Sequence, residues 1–599
     1  MILYCNDLML FLYRKELQSR QMYSSDVKLD AKSGQKFTIG NYLGARLEQI
    51  GVKHCFMVPG DYNLVLLDQL IRNKNIMQIG CCNELNAAYA AEGYARANGC
   101  GAVVTTFNVG AFSALSGVAG AYAENLPVIF VSGGYNTNDE AANHFIHHTI
   151  GTHDFSYQFE IFRRVTCAAV RILNADNAPL LIDQAIVTAL RERKPAYIEI
   201  ACNLAAAPCN KPAPFESALF QKVTNRHSLN AAVKCAADIL NNARKPLLLA
   251  GSHLRSFRAM DAFRELAESL ACAVAVMPDA KGSFVEDHTQ YIGIYLGDES
   301  SPACDPIVEW ADLILAAGPQ FTDYTTAGWT ALPAREKSII AQPGFVRFSD
   351  LIYTEIGLAD FLSALAKKVH ANDKTLMEYR QIGGGERVTK QTTKSDYDTP
   401  LSRSEMVSQI EKDLDGKTTL LVETGDAWFN GIYMRLPRGA RFEIEMQWGA
   451  IGWSVPASFG YAMGMEDDRR IVSIIGDGSF QITAQEVANM IRYKTNNIIF
   501  LVNNQGYVIE SEIHEGPYNY FKNWDYAGLV HIFNAKDGKG LGLKATTAGE
   551  LAIAIEKARE HRGGPVLIEC QIAHDDCTPQ LLKWGNKVAA ANGRPPVQV

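Results

Sequence analysis

Short continuous apolar runs recur along the chain, each closing on glycine or asparagine: KPLLLAG (245–251), ADLILAAG (311–318), TTLLVETG (418–425), RIVSIIGDG (470–478) and NNIIFLVNN (496–504). Runs without polar alternation predict strands buried on both faces, and so parallel sheets covered by helices. SLNAAVKCAADILNNA (228–243) and TAQEVANMIRYK (483–494) carry apolar residues at helical spacing between such runs. The alternation predicts an α/β protein with right-handed crossovers.

Two stretches break the rhythm. NLAAAPCNKPAPFESALF (203–220) sets three prolines around polar residues, and RQIGGGERVTKQTTKSDYDTPLS (380–402) is glycine-rich and charged without periodicity. They divide the chain into an N-terminal unit (36–205), a linker (206–224), a middle unit (225–375), a linker (376–399) and a C-terminal unit (400–599). Each unit is expected to be a doubly wound parallel sheet. Residues 1–35 read as a tail with Met22 as an alternative start: the apolar patch there carries Asp7 and Glu16 and has no small-residue cleavage site.

A length of 599 residues fits three or four domains. The net charge of −8 argues against nucleic acid or an anionic membrane as partner. The most apolar stretch, GAFSALSGVAGAYAENLPVIFVSGG, is interrupted by Glu124, Asn125 and Pro127, so no transmembrane helix is expected. The thirteen cysteines are scattered, and neither Cys81–Cys82 nor Cys570 and Cys577 has metal or redox spacing. They are expected to be reduced thiols of a cytoplasmic protein.

The candidate chemistry lies in residues 476–507. RIVSIIGDGSF ends a strand at Gly476–Asp477–Gly478–Ser479, where backbone N–H groups at a strand-to-helix turn suit a phosphate. Asp477 would repel that phosphate unless a cation lay between them. Mg²⁺ takes hard oxygen ligands together with phosphate oxygens and water. The next strand ends at Asn503–Asn504–Gln505–Gly506, and two neighbouring parallel strands would deliver both turns to one sheet edge. Asp477, the Asn504 side chain and the Gly506 carbonyl are therefore the expected Mg²⁺ ligands.

GDGS followed by a strand ending in NN resembles the thiamine-diphosphate-binding motif, and the resemblance extends from about Phe37 to Pro596. FMVPGDYNLVLLDQL (Asp61), CCNELNAAYAAEGYARANG (Glu84), HFIHHTIG (His147, His148), ETGDAWFNG, EMQWGAIGWS and YVIESEIHEGPYN follow in the order of the thiamine-diphosphate-dependent 2-oxo acid decarboxylases, in the branch of pyruvate and indolepyruvate decarboxylases. The resemblance implies the thiamine-diphosphate-binding fold and a cofactor whose C2 carbanion adds to a 2-oxo acid and, through an enamine, releases an aldehyde. It implies that Glu84 activates the aminopyrimidine, that Ile451 bends the cofactor and that the Gly449 carbonyl accepts its amino group. Thr424, Gly425, Asp426, Gly476, Asp477, Gly478, Ser479, Asn504, Gly506 and Tyr507 fall in the cofactor-binding blocks. Asp61, His147, His148 and Glu510 match the proton-transfer residues, and Trp428, Ile509, Ile513 and Trp584 the substrate pocket.

Taken alone, the histidine pair with His144 could suggest zinc, but neither cysteine nor a carboxylate cluster adjoins it in sequence. Val508, Phe107 and Ala450 depart from the common pattern by removing polar groups near the cofactor. The expected reaction is pyruvate to acetaldehyde and CO₂, with a phenylpyruvate or indolepyruvate decarboxylase and a non-catalytic assembly protein of the same fold as alternatives. The histidine pair argues against a carboligating relative such as acetolactate synthase. A nicotinamide enzyme is excluded because no GxGxxG follows a strand with an acidic residue about twenty positions on. The family's site lies between two chains, so a homodimer or homotetramer is implied.

Overall fold

The computed structural model describes residues 37–384, 398–466 and 468–595. The expected tail and most of the second linker lie outside the described residues. Three sheets form in chain order, each around its own apolar core.

The first holds β1 (His54–Met57), β2 (Met77–Gly80), β3 (Gly101–Thr105), β4 (Val128–Gly134), β5 (Ala168–Ile172) and β6 (Ala196–Ala201) in the order β2-β1-β3-β4-β6-β5, parallel throughout. The second holds β7 (Pro246–Ala250), β8 (Ala273–Val276), β9 (Tyr291–Ile294), β10 (Leu313–Ala317), β11 (Ser338–Gln342), β12 (Gly344–Arg347) and β13 (Ile352–Ile356). The third holds β14 (Thr418–Val422), β15 (Arg441–Ile444), β16 (Arg470–Gly476), β17 (Ile498–Asn503), β18 (Leu541–Ala545) and β19 (Val566–Gln571) in the order β15-β14-β16-β17-β19-β18, again all parallel. Counted from its own first strand, the third sheet repeats the order of the first. In both, the order reverses beside the first strand, and ligands of open α/β sheets bind at such a reversal, beyond the carboxyl ends of the strands.

The three expected parallel-sheet units are present, the middle one mostly parallel with an antiparallel edge. Its strands β12 and β13 run antiparallel to their neighbours. Only Pro343 separates β11 from β12, and Gly344 takes a left-handed φ of +109°. A parallel return needs a crossover of a dozen or more residues, so this connection can only make a hairpin.

Four helices carry the argument that follows: α1 (Glu84–Asn98), α2 (Lys374–Gln381), α3 (Ser454–Gly464) and α4 (Asp477–Thr483). Helix α2 runs across the expected domain end at residue 375. Leu376 is buried in the middle core, and Thr375 Oγ1 donates to the Pro246 carbonyl at 2.7 Å while accepting from Ala273 N–H at 3.1 Å. Those bonds tie the start of the expected linker to the middle sheet. The segment 483–494 is also less regular than its spacing predicts. After α4 the chain tightens into a 3-10 turn, Ala484–Glu486, before the helix Val487–Arg492. Buried Glu486 there accepts from Asn86 Nδ2 at 2.8 Å and from Cys82 N–H at 3.3 Å, both beside the first turn of α1.

The first and third units meet where α1 crosses α3. The contact is close because glycines face backbone: a Cβ on Gly93 would lie 2.0 Å from the Ala457 carbonyl oxygen, and one on Gly460 would lie 1.8 Å from that of Ala90. Neither obstacle is a side chain that could rotate away. Gly93→Ala is expected to destabilise the protein by about 1–3 kcal/mol, the scale of overpacking a closed contact. Scanning calorimetry would register this as a melting temperature several degrees lower; an unchanged melting temperature would mean that the crossing is looser than its geometry.

Candidate active site

Parallel pairing puts the ends of β14, β16 and β17 on one edge, with Val422 opposite Ile474 and Gly476 opposite Val502. A cavity of about 420 Å³ opens there, lined by the turn after each strand: Thr424–Trp428, Gly476–Ser479, and Asn504 with Gly506–Glu510. Gly449 and Ile451 complete one wall, and Tyr324, His514, Tyr518 and Asn519 complete another.

Asp477 joins two of these turns. Its Oδ1 accepts from Gly478 N–H at 2.8 Å, and its Oδ2 from Gln505 N–H at 2.6 Å. Gln505 sits at a φ of +65°, which bends the chain so that this amide meets the carboxylate. Burial pushes the Asp477 carboxyl up to about 6, against the pull of those backbone donors. A desolvated carboxylate with no charged partner is stabilised in its ionised form by a cation. Asn504 and Gly506 line the same cavity, and the Gly506 carbonyl accepts from Val508 N–H at 3.2 Å, leaving a second lone pair.

The glycines of the turn have different duties. A Cβ on Gly476 would meet nothing within 4 Å, so the space over the strand end is open. One on Gly478 would stand 2.4 Å from the Tyr507 ring, so the side chain is excluded there by the next turn. Three buried polar atoms around the cavity have no hydrogen-bond partner among the described residues: Thr424 Oγ1, Asp426 Oδ1 and Trp428 Nε1. Burial pushes the Asp426 carboxyl up to about 6, partly offset by Arg403.

The loop carrying Gly449 and Ile451 rests on the first unit. Gln447 N–H donates to Glu124 Oε1 at 3.0 Å, and Trp448 Nε1 to Ser116 Oγ at 3.2 Å. Ala450 N–H donates to Glu445 Oε2 at 3.0 Å. Behind it Arg96 is buried among Glu92 (2.8 Å), Glu443 (3.3 Å) and Glu124 (3.5 Å). Burial pushes the Glu92 carboxyl up to about 7 despite Arg96, and raises that of Glu445, next to Glu92. Glu423, not singled out in the sequence, is fully buried, pushed up to about 7, and accepts from Ser454 N–H at 3.1 Å and from its hydroxyl.

Asp61, Glu84 and the histidine pair gather at the corresponding edge of the first sheet, after β1, β2 and β4. None of them lines the cavity of the third unit. Asp61 Oδ2 lies 2.7 Å from His147 Nε2. Tyr62 stacks on His147 with ring centroids 5.0 Å apart, and its hydroxyl is 3.4 Å from His147 Nδ1. Glu84 opens α1 behind the Asn83 cap and is half-buried. A Cβ on Gly110 would stand 2.9 Å from its Oε1, so the glycine leaves room for the carboxylate. Phe107 is fully buried with Tyr62, Tyr135 and Phe155.

Of the expected substrate residues, Trp428 and Ile509 line the cavity; Ile513 and Trp584 do not. Trp584 is fully buried, edge-on to Tyr324 at 4.8 Å and to Phe429 at 5.4 Å, and donates to the Tyr324 carbonyl at 3.1 Å. Its place is to hold Tyr324, a middle-unit residue with no local sequence signal. His574 was missed as well; its Nδ1 is 2.6 Å from the Asn504 carbonyl oxygen and braces that turn.

Three family descriptions match, one in each unit: "Thiamine pyrophosphate enzyme, N-terminal TPP binding domain" over residues 37–156, its central domain over 233–357 and its C-terminal TPP binding domain over 426–570. A probable pyruvate decarboxylase of Schizosaccharomyces pombe is 50% identical over 567 residues, 94% of this chain and 98% of that one. The chain belongs to the thiamine pyrophosphate enzyme family. A pyruvate decarboxylase of Neurospora crassa is 49% identical over 566 residues, 94% of this chain and 98% of its own length. Pyruvate decarboxylase 1 of Pisum sativum is 46% identical over 565 residues, 93% and 94% of the two chains. For a thiamine pyrophosphate enzyme, the unpartnered polar atoms and the open space over Gly476 fit a polar, phosphate-bearing group. No helix among the described residues is long and apolar enough to cross a membrane.

Proposed function

We propose that this thiamine pyrophosphate enzyme decarboxylates pyruvate to acetaldehyde and CO₂ with thiamine diphosphate and Mg²⁺. The carrying observation is the cavity at the carboxyl ends of β14, β16 and β17, where Asp477, Asn504 and Gly506 share one wall. Relatives named pyruvate decarboxylases, matched over nearly their whole length, support the choice of substrate.

Asp477, the Asn504 amide oxygen and the Gly506 carbonyl would hold Mg²⁺, three hard oxygens suited to an ion that fills its remaining positions with phosphate and water. The Gly476–Ser479 turn and the Thr424–Asp426 turn would receive the diphosphate, with Tyr507 beside them. Gly449 and Ile451 would bind and shape the heterocycle. Bound thiamine diphosphate supplies the nucleophilic carbon and the electron sink for the electrons released with CO₂. Glu84 would hold a proton against the pyrimidine ring. Asp61 Oδ2 and His147 Nε2 lie 2.7 Å apart, the short contact a proton relay needs. Glu510, exposed at the cavity, and His148 would complete the relay.

The two halves of this machinery lie on different sheets, and the cavity of one chain contains no residue of the Asp61–Glu84–histidine group. This supports a site finished by a second copy of the chain, in a homodimer or homotetramer. With both cofactors supplied, CO₂ release is expected from pyruvate and to cease when Mg²⁺ is chelated. In a panel with 2-oxoisovalerate, phenylpyruvate and indolepyruvate, pyruvate is expected to have a kcat/KM at least about tenfold above the aromatic acids, on the order of 1.4 kcal/mol. A preference for an aromatic acid would overturn the substrate, and CO₂ release indifferent to thiamine diphosphate would overturn the mechanism.

A further inference from the structure

The histidine pair lacks a neighbouring carboxylate in sequence, but the fold brings one to it. Asp61 leaves the end of β1 and the histidines lie in the loop after β4, two strands separated only by β3 in the sheet. One ligand atom from each of Asp61, His147 and His148 lies within 4.8 Å of the others. Among the described residues this is the only group of three or more His, Cys, Asp or Glu side chains so placed.

The group is held in shape and open to solvent. His148 takes a left-handed φ of +61°, which turns adjacent residues so that their rings meet at 4.5 Å and 66° rather than pointing apart. Asn108 Nδ2 anchors this turn by donating to the His148 carbonyl at 2.7 Å, and Tyr62 braces the His147 ring from one side. His148 Nδ1 is buried without a hydrogen-bond partner. In the single chain the Asp61 and His147 side chains are 52% and 61% exposed, and in an assembled site an ion would reach them by the path the substrate takes.

Two imidazoles and a carboxylate form a donor set that suits Zn²⁺ and Co²⁺, whereas Mg²⁺ prefers oxygen alone. Metal–donor bonds of about 2.0–2.2 Å put tetrahedral donors roughly 3.3–3.6 Å apart. The 2.7 Å Asp61–His147 contact must widen by roughly 0.6–0.9 Å, and any separation near the 4.8 Å limit shorten by at most about 1.5 Å, within reach of rotation in exposed side chains. Water would take the fourth position.

We propose that Asp61, His147 and His148 form a transition-metal site, distinct from the Mg²⁺ site around Asp477, which takes Zn²⁺ or Co²⁺ and in doing so stops turnover. Binding stands on the cluster itself; inhibition rests on the proposed proton relay. A metal bridging the Asp61–His147 contact occupies the lone pairs through which that relay would pass a proton.

The test uses the full chain with thiamine diphosphate and Mg²⁺ saturating, titrated with Co²⁺. A visible d–d band of nitrogen-ligated Co²⁺ is expected to grow to one equivalent per chain and to be displaced by Zn²⁺. Turnover is expected to fall in parallel and to return when the transition metal is stripped and Mg²⁺ restored. Asp61→Asn and His148→Gln should each weaken Co²⁺ binding at least about tenfold, as loss of one of three protein ligands requires. His144→Ala removes the nearby exposed histidine that pairs with Asp139 at 3.0 Å, and should leave the band and the turnover unchanged. Absence of the band, or a band insensitive to both ligand substitutions, overturns the site. A normal band without loss of turnover overturns the inhibition. A chain inactive before any Co²⁺ is added would count against the proposed function, while the band would still decide the site.

Discussion

Asp477→Asn is expected to lower the affinity for Mg²⁺ and thiamine diphosphate at least about 100-fold, on the order of 3 kcal/mol, and to abolish turnover at ordinary cofactor concentrations. The carboxylate is buried and, among the described residues, accepts only backbone amides and has no charged partner, so the bound cation would be its counter-charge. Asparagine keeps the volume and one acceptor oxygen but carries no charge. Because burial already pushes the Asp477 carboxyl up to about 6, its ionised form adds no stability to the cofactor-free chain at neutral pH. The cofactor-free variant should therefore melt within a few degrees of the parent. Calorimetric titration with both ligands measures the affinity; parental affinity would remove Asp477 from the metal site, and a collapsed melting temperature would assign it to the scaffold.

Glu84→Gln is expected to reduce kcat by about 10²–10⁴-fold, the usual contribution of a positioned acid or base. Thiamine diphosphate should still bind with nearly parental affinity, since the proposed metal and diphosphate residues lie on the third sheet and Glu84 at the edge of the first. Glutamine fits beside Gly110 as glutamate does, and the Asn83 cap of α1 is untouched because its side chain accepts from Asn86 N–H at 2.8 Å. Stability should thus be preserved while chemistry is lost. Steady-state kinetics with a parallel binding titration separate the two, and parental kcat would remove Glu84 from the reaction.

Much of the third unit is legible in the chain. Apolar runs such as RIVSIIG and NNIIFLVN need both faces covered, which dictates parallel strands whose ends share an edge. From that alone Asp477 and Asn504 can be placed together, and Gly476↔Val502 pairing puts them there. Tyr324 was not legible in this way: it belongs to the middle unit and lines the cavity with its backbone carbonyl accepting from Trp584. Trp584, expected at the substrate pocket, is buried in packing within the single chain.

Local pattern was sufficient for the α/β class, and the resemblance of short motifs for the thiamine pyrophosphate family, because each depends on neighbours a few positions away. The antiparallel edge of the middle sheet, the shared strand order of the outer two and the meeting of Asp61 with His147 and His148 came from the tertiary structure. Those features depend on which strands lie side by side. That choice is made by how whole cores pack, so contacts between distant loops follow from the assembled sheets and cannot be read from spacing along the chain.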